Sequence, residues 1–319
     1  MVARIALAGI VATLAACAGG SPGGGKYGAS TPAAVSPAYN ISCIAESAQP
    51  GALPPVPGVS YGTMIVDREL RDYRLYQPPG LDKATLVPLV IVLHGTPIDA
   101  AGLEGIIHFQ READAAGLIA AYPDGCHEDW DETARSSDVL FIAALLDRLE
   151  SELKVDRSRV YLIGTSAGGF MAYRLACDLP ERFAAIASVT GSMFWTDCSP
   201  SMPVSIYEMH GTADMNVPYD GGKSTYRGGV QMQSVTDVIA RWVRIDGCSG
   251  QPAMTVSGIT QTFLWAHCTQ GVEVRLDSIV GGHHTWFGSS YDPVPREPDA
   301  NTEIWKFFAS VGARRAPST

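Results

Sequence analysis

Short apolar runs alternate along this chain with longer segments whose apolar residues recur every three or four positions. The short runs predict buried strands, at residues 86–93, 118–122, 160–163, 183–189, 204–209 and 272–276. The longer segments predict helices, at about 100–116, 138–153, 232–245 and 301–311. Strands that alternate with helices predict an α/β fold with a mostly parallel central sheet covered by helices on both faces.

The first 60 residues follow a different pattern, which predicts an export segment and a tether. Arg4 precedes an apolar stretch, residues 5–16, that is too short to span a bilayer. Leu14-Ala15-Ala16-Cys17 resembles a bacterial lipobox, in which Cys17 is lipidated, although the small residues also fit ordinary signal cleavage. Residues 18–60 begin with a flexible stretch rich in Gly, Ser and Pro, and residues 61–319 form a single domain.

These features predict an exported chain, either lipid-anchored in the bacterial cell envelope or secreted, that contacts a membrane only through a lipid at Cys17. The cysteine count agrees with export. Setting Cys17 aside leaves an even number, which predicts disulfides in an exported protein. Proximity along the chain suggests the pairs Cys177–Cys198 and Cys248–Cys268, which leaves Cys43–Cys126.

Charge and motif content exclude several kinds of partner. The formal net charge is −10 and no basic cluster offsets it, which argues against nucleic acid as a partner. The chain contains no C-x-x-C and no H-E-x-x-H motif. We therefore expect neither a metal ion nor a cofactor.

A G-x-S-x-G motif lies between a predicted strand and a predicted helix. Gly164-Thr165-Ser166-Ala167-Gly168 follows the apolar run 160–163 and precedes the helical pattern 170–176. A serine is a poor nucleophile unless its hydroxyl is exposed beside a base, and a tight strand-to-helix turn provides that exposure. The context of the motif predicts a nucleophilic Ser166.

The two partners of such a serine are expected further along the chain, first an acid and then a histidine. Asp214 lies in the loop that follows the predicted strand 204–209. His210 ends that strand and is expected to cap the loop. His283 and His284 follow the strand 272–276 and two glycines. Because adjacent side chains cannot both point at the serine, spacing alone leaves the choice between the two histidines open.

The strand 86–93 ends in His94-Gly95-Thr96, where a second donor to an oxyanion is expected. The backbone N–H groups of Thr96 and Ala167 would form the oxyanion hole. Several aromatic side chains follow the same strand ends and would suit a substrate-binding rim. They are Trp130, Trp195, Tyr219 and Trp286.

The motifs together resemble the extracellular polyhydroxybutyrate depolymerase-like and feruloyl esterase-like α/β-hydrolases, over residues 60–290. The resemblance rests on the following segments: 88–95, 122–125 with Trp130, 156–161, 164–169, 175–177, 210–214 with 217–219, 247–248 and 282–286. It implies an α/β-hydrolase fold. In the family's last motif the catalytic histidine is followed by one residue of any type and then by a tryptophan. This order places the base at His284. His283 and Phe287 stand where the family has Gly and Pro.

The resemblance implies an exported serine esterase that forms an acyl-enzyme and acts on 3-hydroxyalkanoate oligomers or polymer. A feruloyl or acetylxylan esterase that acts on plant polysaccharide is the alternative within the same chemistry. A non-catalytic cell-envelope binding protein on a hydrolase scaffold is the alternative of another class, and the presence of all three triad residues argues against it.

Overall fold

The computed structural model describes Cys43 and residues 56–82, 84–225, 228–293 and 298–313. The predicted export segment, with Cys17 and most of the tether, lies outside the described residues. In the described part of the chain, no helix combines the length and the apolar character that crossing a membrane requires.

The central sheet follows the predicted alternation of strands and helices. Its strands are β1 (Val59–Val66), β2 (Glu69–Tyr76), β3 (Val87–Leu93), β4 (Ile119–Pro123), β5 (Val155–Thr165), β6 (Ala185–Val189) and β7 (Ser205–Gly211). They continue with β10 (Ala253–Ser257), β11 (Thr260–Trp265) and β12 (Val274–Ile279), while the short strands β8 (Gly222–Lys223) and β9 (Gln231–Met232) form a separate two-stranded sheet. The helices are α1 (Ala100–Ile107), α2 (Gln110–Ala116), α3 (Ser137–Glu152), α4 (Ala167–Asp178), α5 (Val235–Ile245) and α6 (Ala300–Val311).

Ten of the strands form one sheet in the order β1-β2-β4-β3-β5-β6-β7-β12-β11-β10. Its central strands, from β4 to β12, pair in parallel. Antiparallel hairpins, β1–β2 and β10–β11, extend the two edges. The prediction of a mostly parallel sheet with helices on both faces is confirmed.

The helices bury the sheet from both sides. Helices α3, α4 and α5 contribute to the core on one face, and α1, α2 and α6 contribute to the core on the other. All residues of β3 are buried, as expected for a central strand covered on both faces. This packing fixes the carboxyl ends of β3, β5, β7 and β12, from which the candidate site is built.

The structure differs from the sequence prediction at the helix expected over 100–116 and at the hairpin β10–β11. The helix expected over 100–116 divides into α1 and α2 because His108 adopts a left-handed conformation, with φ 50°, and its N–H donates to the carbonyl of Glu104. The hairpin β10–β11 was not predicted. Its β10 strand is exposed along its whole length, so the alternation of buried and exposed residues that marks a strand is missing there.

Three disulfides link the described cysteines. They join Cys177 to Cys198 and Cys248 to Cys268, the pairs suggested by proximity along the chain, and Cys43 to Cys126, the pair that these two leave. The Cys177–Cys198 bond ties the last turn of α4 to the loop after β6, and the Cys43–Cys126 bond ties Cys43 to the loop after β4.

Candidate active site

Ser166 lies at the sharp turn between β5 and α4. Its backbone has φ 52° and ψ −117°, a region that a residue with a side chain rarely adopts. The motif glycines permit the turn because a Cβ on Gly164 would lie 2.0 Å from the carbonyl oxygen of Gly168. A Cβ on Gly168 would lie 2.3 Å from the carbonyl oxygen of Leu93. Close packing of β5, α4 and β3 therefore lifts Ser166 to the carboxyl edge of the sheet.

His284 bridges Ser166 and Asp214. Its Nε2 lies 2.9 Å from Ser166 Oγ and its Nδ1 lies 2.7 Å from Asp214 Oδ2. The neighbouring His283 is exposed to solvent. The structure therefore brings together Ser166, Asp214 and His284, three residues that are far apart in the sequence.

The loops that carry the acid and the histidine interlock. The N–H of Ala213 donates to the carbonyl of Gly282 over 2.9 Å. A Cβ on Gly211 would lie 2.2 Å from the same carbonyl oxygen, so the close approach requires glycine there. Asp214 Oδ1 accepts the N–H groups of Asn216 and Val217, at 2.8 and 2.9 Å. These bonds fix the Asp214 carboxylate beneath His284.

Hydrogen bonds hold Asp214 in its charged form. Burial by itself would raise the pKa of this carboxyl, but hydrogen bonds from His210 and His284 lower it well below its ordinary value. Asp214 therefore stays ionised across the neutral range and can orient an imidazole.

A buried histidine, His210, lies on the other side of Asp214 from His284. His210 Nε2 lies 2.9 Å from the carbonyl oxygen of Val217 and 3.3 Å from Asp214 Oδ2. Its Nδ1 lies 2.8 Å from Glu208 Oε1. The sequence pattern predicts that His210 caps this loop, whereas Glu208 is not among the predicted site residues. The signal was present, because two polar residues two positions apart in an apolar strand share one face.

The loop after β3 lies against the serine. A Cβ on Gly95 would lie 3.1 Å from the Cβ of Ser166. His94 anchors this loop, because its Nε2 accepts the N–H of Gly125 over 2.9 Å. Burial lowers the pKa of His94 to about 4, so the imidazole is neutral and can accept that bond.

The two expected oxyanion donors belong to the loops that meet at Ser166. Thr96 follows Gly95, and its Oγ1 donates to Asp129 Oδ1 over 2.6 Å. Ala167 is the first residue of α4, where a helix leaves N–H groups without a partner inside the helix. Both backbone donors therefore belong to segments that are fixed by other contacts.

The aromatic residues lie deeper than the sequence analysis expected. Trp130 is 1% exposed, and its Nε1 donates to the carbonyl of His94 over 2.9 Å. Trp286 is 5% exposed and belongs to the core on the α6 side. Neither forms an exposed rim, because each fills the space behind a site loop. The expectation of a rim is corrected for these two residues.

Tyr219 and Trp195 are half-buried. The hydroxyl of Tyr219 lies 2.5 Å from Ser278 Oγ, and its ring lies edge-on to His210. The guanidinium of Arg174 lies 4.7 Å from the centre of the Trp195 ring. Within the described residues, no group of three or more His, Cys, Asp and Glu side chains is arranged to hold a metal ion.

The chain is similar in sequence to known esterases. A family model described as "Esterase PHB depolymerase" matches residues 71–214. "Putative esterase NocK" of Nocardia uniformis subsp. tsuyamanensis is 30% identical and covers 90% of this chain and 90% of the relative. This chain belongs to the PHB depolymerase-like and feruloyl esterase-like family of esterases.

Other relatives of this esterase carry narrower names. "Feruloyl esterase C" of Emericella nidulans is 26% identical and covers 76% of this chain and 84% of the relative. "Bifunctional acetylxylan esterase/xylanase XynS20E" of Neocallimastix patriciarum is 27% identical, over 75% of this chain but 33% of the relative. The solved "Acetyl xylan esterase from Aspergillus awamori" has a TM-score of 0.58 at 15% identity. It covers 78% of this chain and 99% of that chain, and this likeness supports the α/β-hydrolase fold.

Proposed function

We propose that this esterase is a serine hydrolase in which Ser166 is the nucleophile, His284 the base and Asp214 the residue that orients the base. The observation that carries the proposal is the continuous chain of contacts from Ser166 Oγ through His284 to Asp214, at 2.9 and 2.7 Å. Both lengths lie in the range of hydrogen bonds that move and hold a proton during catalysis.

The reaction begins when Ser166 Oγ attacks the ester carbonyl carbon while its proton moves to His284 Nε2. The negative oxygen that forms accepts hydrogen bonds from the N–H groups of Thr96 and Ala167. The tetrahedral intermediate collapses, His284 protonates the departing alcohol, and an acyl-enzyme remains on Ser166. Water then attacks the acyl group, His284 takes a proton from the water and returns it to Ser166, and the carboxylic acid leaves.

The proposed substrates are acetyl or feruloyl esters of plant polysaccharide. The names of the relatives support this class, since they include acetylxylan and feruloyl esterases. The description of the matching family model favours a second candidate, 3-hydroxyalkanoate oligomers or polymer. Both classes are carboxylic esters and require the same steps at Ser166.

We propose that the protein works outside the cytoplasm, lipid-anchored through Cys17 or secreted, with its folded domain following the tether. Three disulfides support an oxidising compartment, because such bonds are rare in reducing cytosol.

The test is hydrolysis of p-nitrophenyl acetate by the disulfide-bonded domain, with Ser166→Ala as the control. The variant should lose at least roughly 1,000-fold in kcat, because no other group supplies the nucleophile. A fluorophosphonate probe should label the wild-type protein and leave the variant unlabelled. Folded wild-type protein with neither turnover nor labelling would favour a non-catalytic binding protein and overturn the proposal.

A substrate panel then separates the two ester classes. Methyl ferulate and acetylated xylan represent the first, and 3-hydroxybutyrate oligomers represent the second. A higher kcat/KM on the hydroxybutyrate oligomers would overturn the polysaccharide assignment and leave the serine mechanism intact.

A further inference from the structure

The chain of polar contacts continues beyond Asp214 into the core. His210 is 0% exposed and Glu208 is 1% exposed, and both project from β7. Burying two ionisable groups costs free energy unless they are paired and hydrogen-bonded. The three-residue reaction scheme assigns these two residues no role, although His210 contacts Asp214 directly.

The acceptors around His210 determine its protonation. Nε2 lies 2.9 Å from the carbonyl oxygen of Val217, which can only accept, so Nε2 must carry hydrogen. Nδ1 lies 2.8 Å from Glu208 Oε1, while Glu208 Oε2 accepts the hydroxyl of Tyr173 over 2.9 Å. An ionised Glu208 accepts from Nδ1, so that both ring nitrogens donate and His210 is an imidazolium.

The titratable groups that face His210 come from several elements. They are Glu208 on β7, Asp214 and Tyr219 on the loop after β7, His284 through Asp214, and Tyr173 on α4 through Glu208. Burial would lower the pKa of His210, but hydrogen bonds to Asp214 and Glu208 raise it to about 10. The two carboxylates therefore outweigh burial, and the cation persists across the neutral range.

Both oxygens of the Asp214 carboxylate have polar partners. Oδ1 accepts two backbone N–H groups. Oδ2 lies between His284 Nδ1, at 2.7 Å, and His210 Nε2, at 3.3 Å. The contact with His210 fixes the oxygen that orients the base.

We propose that His210, kept cationic by Glu208, is a positioning residue that fixes Asp214 and sets the pH range in which His284 acts as a base. This inference rests on the proposed serine-esterase function. It predicts that the enzyme remains active at a lower pH than a triad without this cation would allow.

The test compares pH–rate profiles of His210→Gln and of the double variant Glu208→Gln/His210→Gln with the wild type. The double variant replaces the ion pair by a neutral pair, so it avoids leaving Glu208 buried and uncompensated. His267→Gln is the matched control, because it removes an exposed histidine on a distant loop. Circular dichroism and thermal melting establish that each variant is folded.

Loss of the cation should lower kcat roughly 100-fold, because Asp214 is no longer held in register, while KM changes little. The acidic limb of kcat/KM should move to higher pH by about one unit in both variants, because a positive charge beside the base is lost. His267→Gln should match the wild type in both readouts. A folded variant at position 210 with the wild-type kcat and acidic limb would overturn the proposal.

Nitrogen NMR of labelled histidine gives a readout that needs no turnover. In wild-type protein and in Ser166→Ala, both nitrogens of His210 should stay protonated to about pH 9, since the pKa is raised to about 10. A neutral His210 at pH 7 would overturn the proposal. Inactive wild-type protein would instead defeat the serine-esterase function, so the two failures are distinguishable.

Discussion

At the scale of single residues, one position in the sequence decides which histidine meets the serine. The N–H of Ala213 donates to the carbonyl of Gly282, against which Gly211 packs closely, and this contact fixes the register of the histidine loop. His284 then projects between Ser166 and Asp214, while His283 faces solvent. A shift of this loop by one residue would place His283 between Ser166 and Asp214 and expose His284, since adjacent side chains point in different directions.

The choice of base can be tested with a matched pair of variants. We expect His284→Ala to lose at least roughly 1,000-fold in kcat, because Ser166 would have no group to take its proton. His283→Ala removes an exposed imidazole and should retain most of the activity. Turnover of p-nitrophenyl acetate measures both, and the reverse ranking would assign the base to His283.

At the scale of elements, the turn between β5 and α4 is the part of the fold that the sequence predicts best. Its residues are contiguous, so periodicity and small residues suffice to identify the strand, the turn and the helix. The break between α1 and α2 was not predictable in this way. It depends on a left-handed His108, a conformation that few non-glycine residues adopt.

The close packing of the turn between β5 and α4 predicts that adding a single methyl group there has a large effect on stability. Gly168→Ala places a Cβ 2.3 Å from the carbonyl oxygen of Leu93, on a strand that cannot move. We expect the free energy of unfolding to fall by about 3 kcal/mol and esterase activity to be lost. Urea denaturation followed by circular dichroism measures the first effect.

Gly105→Ala is the control for that substitution. Gly105 lies in α1, and among the described residues no atom beyond its chain neighbours and the backbone of α1 lies within 4 Å of the Cβ that alanine would add. Alanine should therefore be neutral or raise the free energy of unfolding by about 0.5–1 kcal/mol. Equal destabilisation by both substitutions would show that the packing of Gly168 is not the cause.

At the scale of the whole molecule, a buried carboxyl at the end of α5 should make stability depend on pH. Asp246 is 0% exposed, and its Oδ1 accepts the N–H of Val204 over 3.2 Å. Its Oδ2 has no hydrogen-bond partner among the described residues. Burial raises the pKa of Asp246 to about 8, so the folded protein favours the neutral acid.

The direction of the pH effect follows from that shift. Between about pH 4 and pH 8 the folded state binds the proton of Asp246 and the unfolded state releases it. The free energy of unfolding should therefore fall as pH rises through this window, by up to roughly 1.4 kcal/mol per pH unit from this group. Asp246→Asn should remove that contribution while keeping an acceptor for Val204.

Urea denaturation at about pH 5 and about pH 8.5 measures the effect. The variant should gain stability relative to the wild type at the higher pH, because asparagine cannot ionise. An equal difference between the two proteins at both pH values would contradict the proposed burial cost of Asp246.

By itself, the sequence determined the α/β class, the strand-turn-helix around Ser166 and the chain order of the serine, the acid and the histidine. These features follow from periodicity and turn chemistry within short segments. Only the tertiary structure decided the contact across the 118 positions that separate Ser166 from His284, the burial of Trp130 and Trp286, and the Glu208–His210 pair behind Asp214. The physical reason is that these contacts depend on how separate strand ends pack at one edge of the sheet. Local sequence patterns do not specify that packing.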